Sequence, residues 1–539
     1  MSSDTLSVAA SGAAADAIAA QVPQLVQEKF ASRLFAQDPT LWGPAAEAEA
    51  SKRLSWVGLA RSSRPLVEQI ETLRKSLQDK GVDHVVLCGM GGSSLAPEVI
   101  CATAGKELVV LDSSQPDMVR DAVATKLDRT VVVVSSKSGS TVETDSQRRI
   151  YEQAFTDAGI DPAERIVVVT DPGSPLDQDA RGKGYTVINA DPDVGGRYSA
   201  LTAFGLVPSG LAGVDLGALL DEAEAFTDQL AADDAGNPGL QLGAALGGTS
   251  PLRDKILLID AGTPIKGFGD WAEQLIAEST GKDGKGLLPV VVGAAPAGDL
   301  LDDELWVRLV SAGDDDRPEG AATVDVGGSL GASLLLWEVA VAVAGRLIGI
   351  NPFDQPDVES AKQAARDLMG KGASSTEAPA FTDGAVEVRT VGPDFLGDAK
   401  DLPGALQALI AQLPDNGYLA VMAYLDRITD ARLGEVREGL ARTLGRPVTF
   451  GWGPRFLHST GQYHKGGPGI GVYLQITTEP AQDLPVPGRD FTLGEFIASQ
   501  AAGDAQVLGD HDRPVLRLHL TDHDAGLAQV EQALRGLTR

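Results

Sequence analysis

The chain has 539 residues, with 45 Lys and Arg against 75 Asp and Glu, a formal net charge of −30 at pH 7. So acidic a surface repels phosphate backbones and anionic lipids, which argues against binding to nucleic acid or to a membrane surface. Hydrophobic residues make up 43% of the chain and charged residues 22%, a balance that excludes wholesale disorder. At about 150 residues per domain, this length predicts about three to four domains.

Three further features predict a soluble, cytoplasmic protein. The two cysteines, Cys88 and Cys101, form no CxxC pair, so neither a metal centre nor dithiol chemistry is expected. The N-terminus has no basic region followed by an apolar core, so it does not resemble a secretory signal. The longest apolar run, 331–350, contains Glu338 and Arg346, which favours a buried core helix over a membrane span.

The chain opens with an Ala-rich stretch over residues 1–20 that lacks large apolar anchors, so we expect a frayed or weakly helical tail. From residue 24 to residue 78, apolar residues recur at helical spacing and predict helices. We therefore take 1–78 as an N-terminal tail with helices.

A different pattern follows, in which short runs rich in Val and Ile alternate with helix-like stretches. The runs HVVLC, KELVVLD, TVVVV, RIVVVTD and YTVIN each end near Gly, Ser, Asp or Asn. Continuous apolar strands separated by helices are typical of a parallel sheet buried on both faces. The sequence predicts five such strands between Gly81 and Ala190, within a first α/β domain at 79–245.

Two more α/β units are predicted. The second, 246–370, has the strand KILLID, a helix over 271–280 and strands around 288–292 and 305–310. The third, 385–539, has a helix over 403–413 and the strands YLAVMAYL, PVTFGWG and GVYLQITT, and a linker is expected over 370–383. The predicted fold class is α/β, with two doubly wound parallel sheets followed by a C-terminal α/β domain.

The loop Gly89-Met90-Gly91-Gly92-Ser93-Ser94 directly follows the strand HVVLC and precedes a helical stretch. Glycines at such a turn let backbone N–H groups approach an anion at the helix N-terminus. A dinucleotide fingerprint is one alternative, with Asp112 as its acidic residue, but Ser94 stands where that fingerprint needs Gly or Ala. A plain tight turn is the other alternative.

A second loop, Ser135-Ser136-Lys137-Ser138-Gly139-Ser140-Thr141, follows the strand TVVVV and opens another predicted helix. Hydroxyl donors, backbone amides and a helix dipole together suit a phosphate monoester. A Ser-rich N-cap loop explains one or two of these hydroxyls but not all five. The loop therefore predicts a phosphate site.

Together with GGRYS at 195–199, QLIAESTGKDGKG at 274–286 and NPFDQPDVESAK at 351–362, these loops resemble the motifs of the glucose-6-phosphate isomerase family. The resemblance implies two sugar isomerase (SIS) subdomains and interconversion of glucose 6-phosphate and fructose 6-phosphate through a cis-enediol, a step of glycolysis and gluconeogenesis. It also implies a sugar-phosphate substrate, no metal, no redox cofactor and a homodimer.

The resemblance also implies a role for each matching residue. Glu278 falls on the general base, Arg197 on the group that stabilises the enediolate, and Lys362 on the lysine that assists ring opening. A carboxylate and an always-protonated guanidinium suit the first two tasks. Gln274 lies one helical turn before Glu278. The residues that fall on the family's substrate-binding positions are Gly92, Ser93, Ser136, Lys137, Ser138, Thr141 and Gln274.

The chain departs from the family at histidine. The family's ring-opening histidine precedes the lysine motif, but no histidine lies between His84 and His458 here. The segment FLHSTGQYHKGG at 456–467 resembles the C-terminal region of the isomerase half of bacterial transaldolase–isomerase fusions. Our hypothesis is that His464 or His458 opens the sugar ring. We expect a surface cluster rather than a metal site from His511, His519 and His523.

Three alternatives remain open at this point. The enzyme could act on mannose 6-phosphate or another hexose 6-phosphate, because the motifs do not separate these substrates. It could be a non-catalytic sugar-phosphate sensor, which would need the phosphate loops but not Glu278. A nucleotide-dependent dehydrogenase that uses the loop at Gly89 would instead predict tight NAD binding.

Overall fold

The computed structural model describes residues 5–296, 300–311, 320–356 and 378–537. The chain forms two compact units. The first unit comprises Met1–Asp112, Val123–Thr280 and Gly286–Asp354, and the second comprises Ser113–Ala122, Gly281–Lys285 and Gln355–Arg539.

The helices alternate with strands along most of the chain. Up to residue 348 they are α1 (Gly12–Gln27), α2 (Phe30–Phe35), α3 (Pro44–Ala50), α4 (Leu59–Ser62), α5 (Pro65–Gln78), α6 (Leu95–Thr103), α7 (Pro116–Ala124), α8 (Val142–Asp157), α9 (Pro175–Gly182), α10 (Ala203–Leu211), α11 (Leu216–Leu230), α12 (Pro238–Gly247), α13 (Phe268–Thr280) and α14 (Leu330–Ile348). Beyond residue 378 they are α15 (Leu402–Ile410), α16 (Val436–Leu444), α17 (Gly461–Gly466), α18 (Leu493–Asp510) and α19 (His523–Leu537).

The first sheet consists of the five predicted Val- and Ile-rich runs, which confirms that prediction. Its strands are β2 (His84–Gly89), β3 (Val109–Leu111), β4 (Thr130–Ser135), β5 (Ile166–Thr170) and β6 (Thr186–Asn189). They are all parallel, in the order β3-β2-β4-β5-β6. In this order the chain reverses direction across the sheet between β2 and β4, and ligands bind outside the carboxyl ends of strands at such a switch point.

The second sheet repeats the strand order of the first. Its parallel strands are β7 (Lys255–Asp260), β8 (Leu288–Val292), β9 (Glu304–Val310) and β10 (Ala322–Gly327), in the order β10-β9-β7-β8. At its edge, β1 (Ser7–Ser11) pairs antiparallel with β10. The prediction of a frayed or weakly helical tail over residues 1–20 is therefore wrong for Ser7–Ser11, which pair with β10, and the helix α1 follows directly over Gly12–Gln27.

One hydrophobic core runs through the first unit and includes residues of both sheets. Within it, α12 packs closely on α14 because Gly239, Gly243 and Gly247 follow one another at four-residue intervals on one face. A Cβ atom at Gly243 would lie 2.4 Å from Cβ of Val343. Among the described residues, α14 alone is long and apolar enough to cross a membrane, yet 83% of its apolar window is buried inside the protein, as the sequence predicts for a core helix.

The second unit contains a third sheet with its own core. Its strands are β11 (Phe381–Asp383), β12 (Val386–Val391), β13 (Tyr418–Tyr424), β14 (Val448–Trp452), β15 (Gly471–Thr478) and β16 (Val515–Leu520), in the order β11-β12-β16-β15-β13-β14. The four strands β14, β13, β15 and β16 are parallel, whereas β12 pairs antiparallel with both β11 and β16. Its parallel strands therefore follow the same order as those of the first two sheets.

Glu338 on α14 is a buried carboxyl group whose two oxygens have no hydrogen-bonding partner within the described part of the chain. Burial raises the pKa of Glu338 well above its usual value of 4.5. In the unfolded chain the group ionises above that pH, while in the folded chain it keeps its proton. The free energy of unfolding therefore decreases as the pH rises above 4.5.

We predict that Glu338→Gln is more stable than the wild type at neutral pH. The difference in the free energy of unfolding should grow by about 1.4 kcal/mol per pH unit above the unfolded pKa, until the folded-state pKa is passed. Urea unfolding measured at several pH values checks this. Glu71→Gln, which removes a carboxylate from an exposed position on α5, is the control, and equal differences for both variants at every pH would contradict the prediction.

Candidate active site

The two predicted phosphate loops lie side by side at the switch point of the first sheet. Strands β2 and β4 are neighbours, with Gly89 paired to Ser135 at their carboxyl ends. The first loop continues into a short 3-10 turn, Gly91–Ser93, and α6, while the second leads into the N-terminus of α8. Backbone N–H groups and the N-termini of two helices therefore lie at the same edge of the sheet, an arrangement that suits an anion.

The first loop packs directly against the turn that carries Arg197. A Cβ atom at Gly92 would lie 2.0 Å from the carbonyl oxygen of Gly196, so only glycine fits at position 92. The Ser199 hydroxyl also donates to the Gly92 carbonyl, at 3.3 Å. Motifs more than a hundred residues apart in the sequence thus meet through their backbones.

Four hydroxyl groups of the second loop form two pairs within hydrogen-bonding distance. Ser136 is buried and donates to the Thr141 hydroxyl at 3.2 Å. Ser138 is exposed and lies 2.7 Å from the Ser140 hydroxyl. Lys137 forms an ion pair with Asp171, Nζ to Oδ2 2.8 Å, and donates to the Pro192 carbonyl. In the first loop, Ser93 is partly buried.

Glu278 is buried near the C-terminal end of α13, with 5% of its surface exposed. Nη1 of Arg197 lies 3.4 Å from its Oε2, and Nε2 of Gln274, one turn earlier on the same face, donates to the same oxygen at 3.3 Å. The structure thus brings together Glu278, Arg197 and Gln274 in the first unit. A carboxylate held between a guanidinium and an amide could accept a proton next to a fixed positive charge.

Arg197 is held from its other side by groups that the sequence did not reveal. Its Nη2 donates to the carbonyl oxygens of Pro352 at 3.0 Å and of Asp354 at 2.8 Å. Next to it, the buried Tyr198 stacks on Trp56 and lies within hydrogen-bonding distance of the Ser279 hydroxyl, 3.3 Å. The sequence does not show which backbone carbonyls accept hydrogen bonds, and only the family motif at 351–362 pointed to this segment.

Lys362 lies outside the described residues. His464, in the second unit, is buried on α17 among aromatic rings, with Tyr473 at 5.3 Å and Tyr418 at 6.1 Å between ring centroids. Neither ring nitrogen has a hydrogen-bonding partner among the residues that the structure describes. Burial, together with the positive charges of Lys465 and Arg513, lowers the pKa of His464 well below the usual 6.5, so the imidazole is neutral at pH 7.

The remaining histidines of the second unit have separate surroundings. His458 is partly buried, in the 3-10 turn Arg455–His458 that precedes α17. His519 lies 3.0 Å from the Thr477 hydroxyl, and His523 lies 3.0 Å from a carboxylate oxygen of Asp430. Nδ1 of His511 lies 3.3 Å from the Lys465 carbonyl oxygen. Each of these three thus has its own local partner.

The structure therefore defines an α/β protein with two Gly- and Ser-rich loops at the switch point of its first sheet and a buried carboxylate in the same unit. No family model matches the chain. The probable glucose-6-phosphate isomerase of Haloarcula marismortui is 30% identical over 340 residues, which are 53% of this chain and 78% of that protein. The probable glucose-6-phosphate isomerase of Natronomonas pharaonis is 29% identical over 427 residues, 69% of this chain and 98% of that protein.

The chain belongs to the glucose-6-phosphate isomerase family, as its sequence motifs predict. Its fold is also similar to that of a hypothetical protein from Thermus thermophilus, known from a crystal structure. That likeness has a TM-score of 0.57 at 24% identity and covers 68% of this chain and all of the other.

We predict that Gly92→Ala disrupts the contact between the first loop and the Arg197 turn. The added Cβ would collide with the Gly196 carbonyl, so the free energy of unfolding should fall by about 1–3 kcal/mol. Gly196→Ala is the matched control, because its added Cβ meets nothing within 4 Å. Chemical denaturation checks both variants, and equal losses of stability in the two would contradict the close packing at Gly92.

Proposed function

We propose that the protein interconverts glucose 6-phosphate and fructose 6-phosphate through a cis-enediol, with Glu278 as the general base. The observation that carries the proposal is the buried carboxylate of Glu278, held by Arg197 and Gln274 in a unit that also contains both phosphate loops. The relatives named glucose-6-phosphate isomerase support the substrate.

The loops after β2 and β4 would bind the phosphate of the substrate. Backbone amides at the ends of two helices supply the donors, and hydroxyls from Ser93, Ser136, Ser138 and Thr141 add to them. Lys137 contributes a positive charge at the loop although its ammonium group is paired with Asp171. Anchoring the phosphate end fixes how far the sugar carbons reach from the loops, which is the positional advantage that proton transfer needs.

Glu278 would move a proton between C2 and C1 of the open-chain sugar. Its carboxylate is already hydrogen-bonded to Gln274, so little reorganisation is needed before it accepts a proton. As the enediolate forms, negative charge develops on the substrate oxygens, and the fixed guanidinium of Arg197 stabilises it in a site from which water is excluded. The two carbonyls that hold Arg197 keep that charge in place.

Ring opening needs a second acid–base group, and we propose His464 or His458 for it, assisted by Lys362. A neutral imidazole both accepts and donates a proton, and the lowered pKa of His464 keeps it neutral at pH 7. Its two ring nitrogens, unpaired within the described residues, support a role that is completed by a ligand. His458 is the more exposed of the two.

Further proposals concern the location, the oligomeric state and the domains of the protein. We propose a cytoplasmic homodimer without metal or redox cofactor, built from an N-terminal segment 1–78, two SIS domains at 79–245 and 246–370, and a C-terminal domain at 385–539. The similarity of that last domain to transaldolase–isomerase fusions stays a prediction.

We predict that Glu278→Gln loses turnover of fructose 6-phosphate by about 10²- to 10⁴-fold while it still binds the substrate, because the amide cannot take the proton. A coupled assay with glucose-6-phosphate dehydrogenase measures turnover, and the melting temperature with fructose 6-phosphate measures binding. Glu273→Gln, on the same helix, removes an equal charge and should stay active.

The wild type itself separates the alternatives. Binding of fructose 6-phosphate without turnover would indicate a sensor, and turnover of mannose 6-phosphate alone would indicate a mannose-6-phosphate isomerase.

We predict that His464→Phe stabilises the protein and lowers its turnover. The phenyl ring fits among the aromatic side chains without buried unpaired nitrogens, which should add about 1–3 kcal/mol to the free energy of unfolding. Below pH 6.5 the wild-type histidine takes up a proton only when the chain is unfolded. The free energy of unfolding of the wild type therefore falls as the pH decreases below 6.5, and the stability difference in favour of the variant should grow.

His458→Asn is the comparison for His464→Phe, assayed with cyclic glucose 6-phosphate so that ring opening is required. Lost turnover in His464→Phe alone assigns ring opening to His464, and lost turnover in His458→Asn alone assigns it to His458. Wild-type turnover in both variants would remove the C-terminal histidines from the mechanism.

A further inference from the structure

A short loop, Gly281–Lys285, directly follows α13, the helix that carries Glu278. The loop belongs to the second unit, whereas the residues on both sides of it belong to the first. It is closed at its base, where the N–H of Leu287 donates to the Thr280 hydroxyl at 2.9 Å. Because Glu278 lies in the last turn of α13, the backbone that follows this turn bears on the position of the carboxylate.

The loop forms a tight reverse turn. The N–H of Lys285 donates to the Lys282 carbonyl at 2.9 Å, and the two central residues, Asp283 and Gly284, have φ values of 57° and 69°. Positive φ at both central positions defines a type I′ turn, which an Asp-Gly pair favours. The local sequence therefore favours this conformation of the loop, and the contacts of the loop decide where it lies.

Helix α17 holds the loop at two points. Nε2 of Gln462 donates to the Gly281 carbonyl at 2.9 Å, and the N–H of Gly284 donates to the Gly466 carbonyl at 2.9 Å. Gln462 is completely buried. A buried amide costs free energy unless it is hydrogen-bonded, so an apolar side chain would serve better if this position needed only to be filled.

The Gly281 carbonyl is well placed to fix the end of α13. The last carbonyl groups of a helix have no partner within the helix, so a donor from elsewhere in the chain can hold them in one orientation. The hydrogen bond from Gln462 supplies such a donor directly after Thr280, the last residue of α13.

We propose that Gln462 is a positioning residue for Glu278, which acts through the Gly281 carbonyl. This inference rests on the proposed function, in which Glu278 is the general base. A misplacement of about 1 Å can slow a reaction by about 10²-fold. The phosphate loops belong to the first sheet, so loss of the hydrogen bond should lower kcat without raising the KM for fructose 6-phosphate.

The test compares Gln462→Met with the wild type in the coupled assay, with the coupling enzyme in excess. Methionine matches glutamine in length but cannot donate, so kcat should fall about 10- to 100-fold at an unchanged KM. The rate should also become more sensitive to deuterium at C1 of fructose 6-phosphate, because proton transfer becomes slower relative to ring opening. Gln462→Glu donates only while its carboxyl is protonated, so its kcat relative to the wild type should rise as the pH falls.

Gly284 offers a second pair of variants at an exposed position, where an added Cβ meets nothing within 4 Å. Valine disfavours positive φ, whereas asparagine tolerates it. Gly284→Val should therefore displace the loop, lower kcat and raise the deuterium effect, and Gly284→Asn should do none of these. Equal kcat values in the two variants would overturn the proposal.

Val530→Ala is the control for stability, because it loosens the core of the second unit at α19 and should keep the wild-type kcat and deuterium effect. Hydrogen exchange of the amides at 281–287, measured without substrate, reports the hold on the loop and should be faster in Gln462→Met. Unchanged exchange, an unchanged kcat, or an equal loss of kcat in Val530→Ala would overturn the proposal.

The wild type separates this proposal from the function on which it rests. A wild type without turnover of fructose 6-phosphate would contradict the proposed function, and with it the role of Gln462, whatever the exchange shows. An active wild type with an equally active Gln462→Met would overturn the role of Gln462 alone.

Discussion

The buried contact between Arg197 and Glu278 is the constraint on which the first unit depends. It joins the turn after the first sheet, the helix α13 of the second sheet and, through the carbonyls of Pro352 and Asp354, the segment after α14. Side chains only 3% and 6% exposed lose their hydration, so each charge needs the other and needs its hydrogen-bonding partners. Removing either would deprive the other of an opposite charge in the interior, which costs free energy.

The close approach of backbones serves the same constraint. Arg197 can reach Glu278 only if its turn packs onto the loop after β2, and a side chain at Gly92 would prevent that packing. Likewise, the glycine stripe on α12 brings that helix close to α14 in the core below. In both places close packing requires glycine, because a Cβ atom would collide with the neighbouring segment.

Sequence patterns predicted the parts of this architecture that are encoded locally. The runs of Val and Ile gave the strands β2 to β6, and the position of each Gly- or Ser-rich loop directly after a strand placed both loops at the same end of the sheet. Sequence patterns did not predict which distant segments pair with one another. The strand SVAAS has a weak β pattern and becomes a strand because β10 offers an open edge. The carbonyls around Arg197 and the pairing of Lys137 with Asp171 are likewise decided by tertiary structure.

The third sheet has the same order of parallel strands as the first sheet, but its polar residues are distributed differently. In the first sheet all residues of β2 and β4 are buried, and the polar residues of these two strands, His84, Thr130 and Ser135, lie at the strand ends. In the third sheet polar side chains occupy one face. A 2.5 Å ion pair between Asp504 on α18 and Lys465 on α17 is almost completely buried. Tyr424 on β13 donates to the other oxygen of Asp504. Because Lys465 follows His464 on α17, one hydrogen bond and one ion pair connect Tyr424 to the helix that carries the buried imidazole.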